Sequence, residues 1–266
     1  MLTAIVRQPA ASIVNCELTY MERTPISHAG ALSEHATYTA VLHSAGVEMI
    51  VLPPLEAYPD SVFTEDVAVV LDEIAILTRP GADSRRAEPE SIAPTLGRYR
   101  SLRAITAPGT LEGGDVLRIG KRLFVGQSTR TNAEGLAQLR GFAARYGYTV
   151  TPVTVPGALH LKTAATALDA NTLIANVDWL DLAPFDGMQI LAVPPEEPWG
   201  ANVLAVGDAR LVNAACPRTL DLVAQAGYAV MPVALDEFAK AEAGLTCLSV
   251  IFRSAAKPGT ASLART

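Results

Sequence analysis

The sequence predicts an α/β protein built from repeats in the order strand, strand, helix, strand, and three observations support this. First, two stretches run through the same elements: GDVLRIGKRLFVG, QSTRTNAEGLAQLRGFAARYG and YTVTPV from Gly114, then ANVLAVGDARLVN, AACPRTLDLVAQAG and YAVMPV from Ala201. Second, the residues that open successive hairpins, Asp66, Asp115, Lys162, Asn202 and Cys247, recur at spacings of roughly 40 to 49 residues, a range typical of repeat architectures. Third, LTCLSVIF near the C-terminus and MLTAIV at the N-terminus are complementary strands, so a fifth unit can be completed across the chain ends. Five such units around an axis would bury faces that none could bury alone. An open α/β sheet in which hairpins and helices alternate also fits, and the period alone does not separate the two.

Element by element, the N-terminal strand MLTAIV is followed by a helix from about Ala29 to Ser44 and the strand VEMIVL. EDVAVVLDEIAILTRPGA from Glu65 gives a hairpin, then a helical stretch to about Tyr99 and a strand from Leu102 to Thr106. The next unit turns at Gly120-Lys121, and its amphipathic helix ends at Gly147, where glycine commonly closes a helix. LKTAATALDANTLIAN from Leu161 gives a third hairpin, with a short, poorly helical link to MQILAV. The fourth unit turns at Gly207-Asp208 and closes its helix at Gly227. Residues 1–266 are expected to form one catalytic domain, with both termini in the same repeat.

Composition narrows the function. Half of the 266 residues are hydrophobic, 18% are charged, and the formal net charge is -6 with no basic run, which excludes nucleic acid as the main partner. No stretch approaches the roughly 18 consecutive apolar residues of a membrane span, and the N-terminus lacks the basic and apolar regions of a secretory signal. Cys16, Cys216 and Cys247 are odd in number and form no C-x-x-C pair, so neither a disulfide framework nor a structural zinc site is expected. A cytoplasmic location follows.

The chemistry-bearing residues cluster where the hairpins open. Asp60, Glu65 and Asp66 fall within seven positions before an apolar strand. Glu112 and Asp115 flank Gly113-Gly114, which let the backbone approach a neighbour closely. His160 lies between leucines, and Cys247 sits in an apolar segment read as strand. Singly, these residues fit polar turns, a core histidine and an inert buried thiol. At equivalent places in successive repeats they would converge on one pocket. There Cys247 and His160 form a nucleophile–base arrangement, oriented by a carboxylate such as Glu112. The surplus of carboxylates suits a delocalised cation, and guanidinium is the planar one that they grip bidentately. Arg85, Arg86 and Arg130 follow hairpins in consecutive units and could face the same mouth. Ser249, two residues past Cys247 in the expected strand, would share its face.

PDSVFTEDVAVV, ILTRPGADSRR, LEGGDVL, RTNAEG, LHLKT and GLTCLSVIF resemble, in order and spacing, the blocks of dimethylarginine dimethylaminohydrolases. Glu17-Leu18-Thr19 and the helix after it are similar to bacterial members. The resemblance implies the five-bladed, pseudo-symmetric α/β propeller shared with arginine deiminases and amidinotransferases. It implies that Cys247 attacks the guanidinium carbon and that His160 protonates the departing amine, then activates water. Asp66 and Glu112 would hold guanidinium nitrogens, Arg85 and Arg130 the substrate carboxylate, and Asp60 the α-amino side. Backbone oxygens of Leu18, on a mobile flap, and of Ala241 would add contacts. Glu65 would contact substrate or neutralise an arginine. No metal or organic cofactor is implied, the partner is a guanidino amino acid, and a homodimer is left open. Three departures from the family pattern are Thr64, Trp199-Gly200 and Glu242-Ala243-Gly244; they bear on the flap, the pocket rim and the preferred N-substituent.

Two other readings remain. A sister enzyme could act on free arginine or another guanidine, but arginine deiminases carry an added helical domain, and agmatine lacks the carboxylate that the two arginines would bind. A non-catalytic propeller serving as a binding module would have no use for Glu112, His160 and Cys247 together.

Overall fold

The computed structural model describes residues 1–254; residues 255–266 of the expected single domain lie outside the described part. The described chain forms five three-stranded sheets that repeat one topology. In each, an inner strand pairs antiparallel with a middle strand, which pairs parallel with an outer strand. The first blade comprises Ala68–Val70, Ile74–Leu77 and Ser101–Ala104, and the second Val116–Ile119, Arg122–Gln127 and Thr149–Thr154. The third has Ala165–Ala167, Thr172–Ala175 and Gln189–Ala192, and the fourth Leu204–Val206, Ala209–Asn213 and Ala229–Val233. The fifth joins both ends of the chain. Val250–Arg253 is its inner strand, Leu2–Arg7 its middle and Glu48–Leu52 its outer, with Ile5 opposite Val250 on one side and Ile50 on the other.

The parallel step in each blade needs a crossover, and the sequence supplies it. His28–Ser44 is a helix capped by Ser27, whose hydroxyl accepts the Gly30 N–H, and its Ala31, His35, Tyr38 and Leu42 turn inward at helical spacing. Ala133–Ala144 is capped in the same way by Asn132. Gly147 and Gly227 adopt φ of 76° and 94° just beyond their helices, a left-handed conformation that costs glycine nothing. The helix of the first blade is shorter than the sequence suggested, Glu88–Leu96, and its strand begins at Ser101. The weak link of the third blade contains a single helical turn, Ala183–Phe185.

The apolar clusters lie between neighbouring blades. Ile74, Ile76, Leu123, Leu136 and Leu139 join the first to the second, and Leu168, Ile174, Val203, Val212 and Val223 the third to the fourth. Ile5, Ala75, Ile92 and Phe252 join the fifth to the first. Each blade is thus covered only by its neighbours, so closure through the termini leaves no blade with an open face. Residues of all five inner strands line one axial cavity of about 290 Å³. The fold is therefore a five-bladed α/β propeller. No helix among the described residues is long and apolar enough to cross a membrane.

Candidate active site

One turn of helix precedes the inner strand of four blades: Thr64–Val67, Gly113–Asp115, Leu161–Ala164 and Thr246–Leu248. These turns meet at one end of the axis; Glu65, Asp66, Asp115 and Cys247 lie in them, and Glu112 and His160 immediately precede two of them. Cys247 consequently lies in a helical turn and not in the expected strand, which starts at Val250 after an extended Ser249. A turn this short shows no periodicity, so its apolar residues read as strand. The change reverses the expectation for Ser249, whose hydroxyl meets the Tyr38 hydroxyl at 2.7 Å on the side of the axial cavity. Tyr38 also donates to the Leu245 carbonyl at 3.0 Å and so braces the turn that holds Cys247. Asn202 secures the turn's other side, accepting from the Thr246 N–H at 3.0 Å and donating to its hydroxyl at 3.0 Å.

His160 is 4% exposed, and its Nε2 lies 2.6 Å from Glu112 Oε2 while its Nδ1 is 3.9 Å from Asp66 Oδ1. The paired glycines permit this packing. A Cβ on Gly113 would overlap the Glu65 carbonyl, and one on Gly114 would come within 2.6 Å of the imidazole. Burial alone would lower the pKa of His160, but Asp66, the hydrogen bond to Glu112 and Asp115 outweigh it and raise it to about 9. Conversely, Cys247 is pushed well above the ordinary thiol range, by burial first and then by the charges of Glu65 and Asp66. Its sulfur accepts the Gly244 N–H at 3.3 Å. The carboxyls of Asp66 and Glu112 are held below their usual range: burial opposes this, but His160 and Arg85 prevail.

Cys247, His160, Glu112, Asp66, Asp60, Arg85, Arg130 and Ala241 all line one cavity of about 30 Å³. Asp60 is buried, and both its oxygens lie 3.2 Å from the Glu17 N–H at the root of the segment that covers this cavity. Leu18 in that segment is half-buried and does not line the cavity, whereas Glu17 does. Glu65 faces the other way. It pairs with Lys162 and accepts the Thr246 hydroxyl at 2.8 Å, so its partner is a lysine and not an arginine.

The two arginines differ sharply. Arg130 has 11% side-chain exposure, reaches the Thr19 hydroxyl at 3.2 Å and lies 3.6 Å from Glu112. Arg85 is buried among fixed partners: Glu88 at 2.9 Å, Asp66 at 2.7 Å and the carbonyls of Asp60 and Phe63. Of its five N–H groups, one on Nη1 remains for any ligand. Glu88, three residues on, is a local partner that the sequence reading missed, and only the fold shows that Asp66 closes the engagement. Arg86 pairs outside with Asp83 at 2.6 Å. Asp115 supports the neighbouring turn, accepting from Ser128 at 2.6 Å and the Leu161 N–H at 3.0 Å.

Glu242 was not expected to act. Among the described residues it is the non-glycine residue with positive φ, 58°, and its Oε1 accepts the N–H groups of Thr19, Tyr20 and Met21 at 2.9, 2.5 and 2.6 Å. It clasps the covering segment onto the site. The one hint in the sequence was an acid where the approach to the nucleophile is expected to be glycine-rich. Asp66, Glu112 and His160 could in principle hold a metal, their ligand atoms lying within 4.8 Å of one another. Arg85 on Asp66 and Arg130 beside Glu112 already pair with both acids, so the set suits proton transfer better than holding a metal ion.

The family described as N,N dimethylarginine dimethylhydrolase, eukaryotic, matches residues 8–180. A dimethylarginine dimethylaminohydrolase of Streptomyces coelicolor is 40% identical over 252 residues, 94% of this chain and 96% of the relative. Among solved structures, a cysteine-to-serine mutant of the Pseudomonas aeruginosa enzyme complexed with citrulline superposes with a TM-score of 0.90 at 36% identity, covering 94% of this chain and 98% of that one. A dimethylarginine dimethylaminohydrolase adduct with S-methyl-L-thiocitrulline gives 0.91 at 36% identity, covering 94% and 99%. Similarity of this extent over nearly the whole chain shows the family, and the chain belongs to the dimethylarginine dimethylaminohydrolases.

Proposed function

We propose that the chain hydrolyses Nω-methylated L-arginine to L-citrulline and an alkylamine through a covalent adduct on Cys247, as a single catalytic unit with Cys247, His160 and Glu112 at its centre. The observation that carries this reading is the pairing of His160 with Glu112 at 2.6 Å in a pocket that also holds a thiol, further carboxylates and an arginine. Carboxylates and arginine together fit a substrate with a guanidinium at one end and a carboxylate at the other.

The groups divide the work as follows. Asp66 and Glu112 receive guanidinium N–H groups and orient the carbon toward Cys247. Arg130 binds the carboxylate, and Arg85 offers its one spare N–H while holding Asp66 in place. Asp60 and Ala241 flank the α-amino group, and the Leu18 carbonyl reaches it only once the covering segment has closed on substrate. Glu65 acts from behind, positioning Thr246 next to the nucleophile. Guanidinium binding drives the Cys247 proton to solvent; the thiolate bonds to the guanidinium carbon, and the C–N bond to the methylated nitrogen breaks as His160 donates its proton to the leaving amine. The imidazole, now neutral, takes a proton from water as that water attacks the thiouronium carbon. The C–S bond then breaks as the added hydroxyl gives its proton to solvent, releasing citrulline and the thiolate.

A cavity of about 30 Å³ has room for roughly one water molecule, so the segment from Glu17 to Met21 must lift to admit substrate. The three thiols, Cys16, Cys216 and Cys247, are all free, which suits a reducing compartment and supports a cytoplasmic location. The test is direct. Incubation with asymmetric dimethylarginine or monomethylarginine should yield citrulline with dimethylamine or methylamine, agmatine should not react, and Cys247→Ser should abolish turnover. Turnover of none of these substrates, or unchanged turnover in the variant, rejects the reading.

A further inference from the structure

A second cavity of about 230 Å³ lies beside the catalytic pocket, and Glu242 and Ala243 line both. Its lining is mostly apolar, with Trp199, Leu245 and Met21, and its charged residues are all acidic: Glu196, Glu197 and Glu242. Two of these acids are spent. Glu197 caps the helix Pro217–Gln225 by accepting the N–H groups of Arg218 and Thr219, and Glu196 pairs with Arg218 at the surface. Glu242 is not. Its Oε1 holds the flap, but its Oε2 is buried and has no hydrogen-bond partner among the described residues, while the residue is 7% exposed. A buried carboxylate oxygen without a donor is costly, and a ligand N–H is a partner that would satisfy it. Beside it, Trp199 is 38% exposed and stands edge-to-face with Trp179 at 4.8 Å, presenting the aromatic surface that best attracts a cation.

We infer that this cavity binds an organic ammonium ion that carries no carboxylate, with the ammonium against the Glu242 carboxylate and the apolar body against Trp199. The contrast with the catalytic pocket gives the ligand class. That pocket combines acids with Arg85 and Arg130 and suits an amino acid, whereas no lysine or arginine among the described residues lines this one. A cavity of about 150 Å³ accommodates benzene, so this one has room for an aromatic amine. The inference goes beyond the proposed reaction and does not depend on it.

The experiment uses benzylammonium and the intact protein, with the fluorescence of its two tryptophans, Trp179 and Trp199, as the reporter. A saturable change is expected, with a dissociation constant on the order of 1 mM or below. Glu242→Gln should weaken binding by about tenfold or more through loss of the charge-assisted bond. Trp199→Leu, which leaves Trp179 to report, should weaken it as well. Citrulline should not displace the ligand, its own binding being scored separately by protection of Cys247 from alkylation. No saturable change, equal affinity in both variants, or displacement by citrulline would overturn the assignment.

Discussion

In the empty site the charges are set against nucleophilic attack. His160, with a pKa of about 9, is protonated at neutral pH, while burial and then Glu65 and Asp66 keep the Cys247 proton on sulfur. On the proposed reading, a guanidinium entering between Asp66 and Cys247 reverses the local field and favours the thiolate. Alkylation of Cys247 in the free protein should therefore rise with pH around a midpoint above the roughly 8.5 of an ordinary thiol. A cationic substrate analogue should lower that midpoint by about one unit or more. An equally low midpoint without the analogue would contradict substrate-promoted ionisation. The arginines, alike in the sequence, should separate by experiment. Arg130→Gln should raise KM by about tenfold with little change in the denaturation midpoint, since on the proposed reading it removes one charged contact to substrate. Arg85→Gln should lower the midpoint first, because it strands Asp66 and Glu88, at a cost on the order of 3 kcal/mol. Steady-state kinetics and denaturant unfolding on both variants would reveal the difference. Nothing local in ADSRR assigns these separate roles; they depend on which carboxylates the fold brings near.

Among the elements, long periodic segments were legible and single turns were not. Helices such as His28–Ser44 and Ala133–Ala144 announce themselves through caps, inward-facing residues at helical spacing and, for the second, the glycine at 147. The turns that carry Asp66, Asp115 and Cys247 span three or four residues, too few to establish a period, and their apolar members blend into the strands behind them. The flap was legible only as a resemblance, and its fastening lies more than two hundred residues away at Glu242. Three N–H groups on one carboxylate oxygen should hold Thr19 to Met21 closed by more than the chain's own local structure does. Glu242→Ala should accelerate amide exchange at these residues by roughly 10- to 100-fold, equivalent to about 1–3 kcal/mol of local opening free energy. Hydrogen exchange read by mass spectrometry measures this directly, and unchanged protection would mean that packing, not the clasp, closes the flap.

For the whole molecule, the sequence period implied five units but not what ties them together at the centre. Each apolar cluster joins adjacent blades, so contacts across the axis have a different origin. At the end of the axial cavity nearest the active site, Glu65 of the first blade pairs with Lys162 of the third and accepts a hydrogen bond from Thr246 of the fifth. Burial raises the pKa of Glu65, and Lys162 opposes that shift, so the acid relies on the lysine to stay charged. Lys162→Met leaves this carboxylate without its cation, and breaking a buried pair on one side costs on the order of 3 kcal/mol. Replacing both partners, Glu65→Gln with Lys162→Met, removes the stranded charge and should recover most of that loss. The same comparison tests whether the pair orients the nucleophile. The single variant should lose activity together with stability. The double variant keeps an amide oxygen able to accept from Thr246, and it should regain stability and much of its kcat. If the single substitution leaves the urea midpoint unchanged, the axial pair does not hold the blades together, and closure rests on the neighbouring interfaces alone.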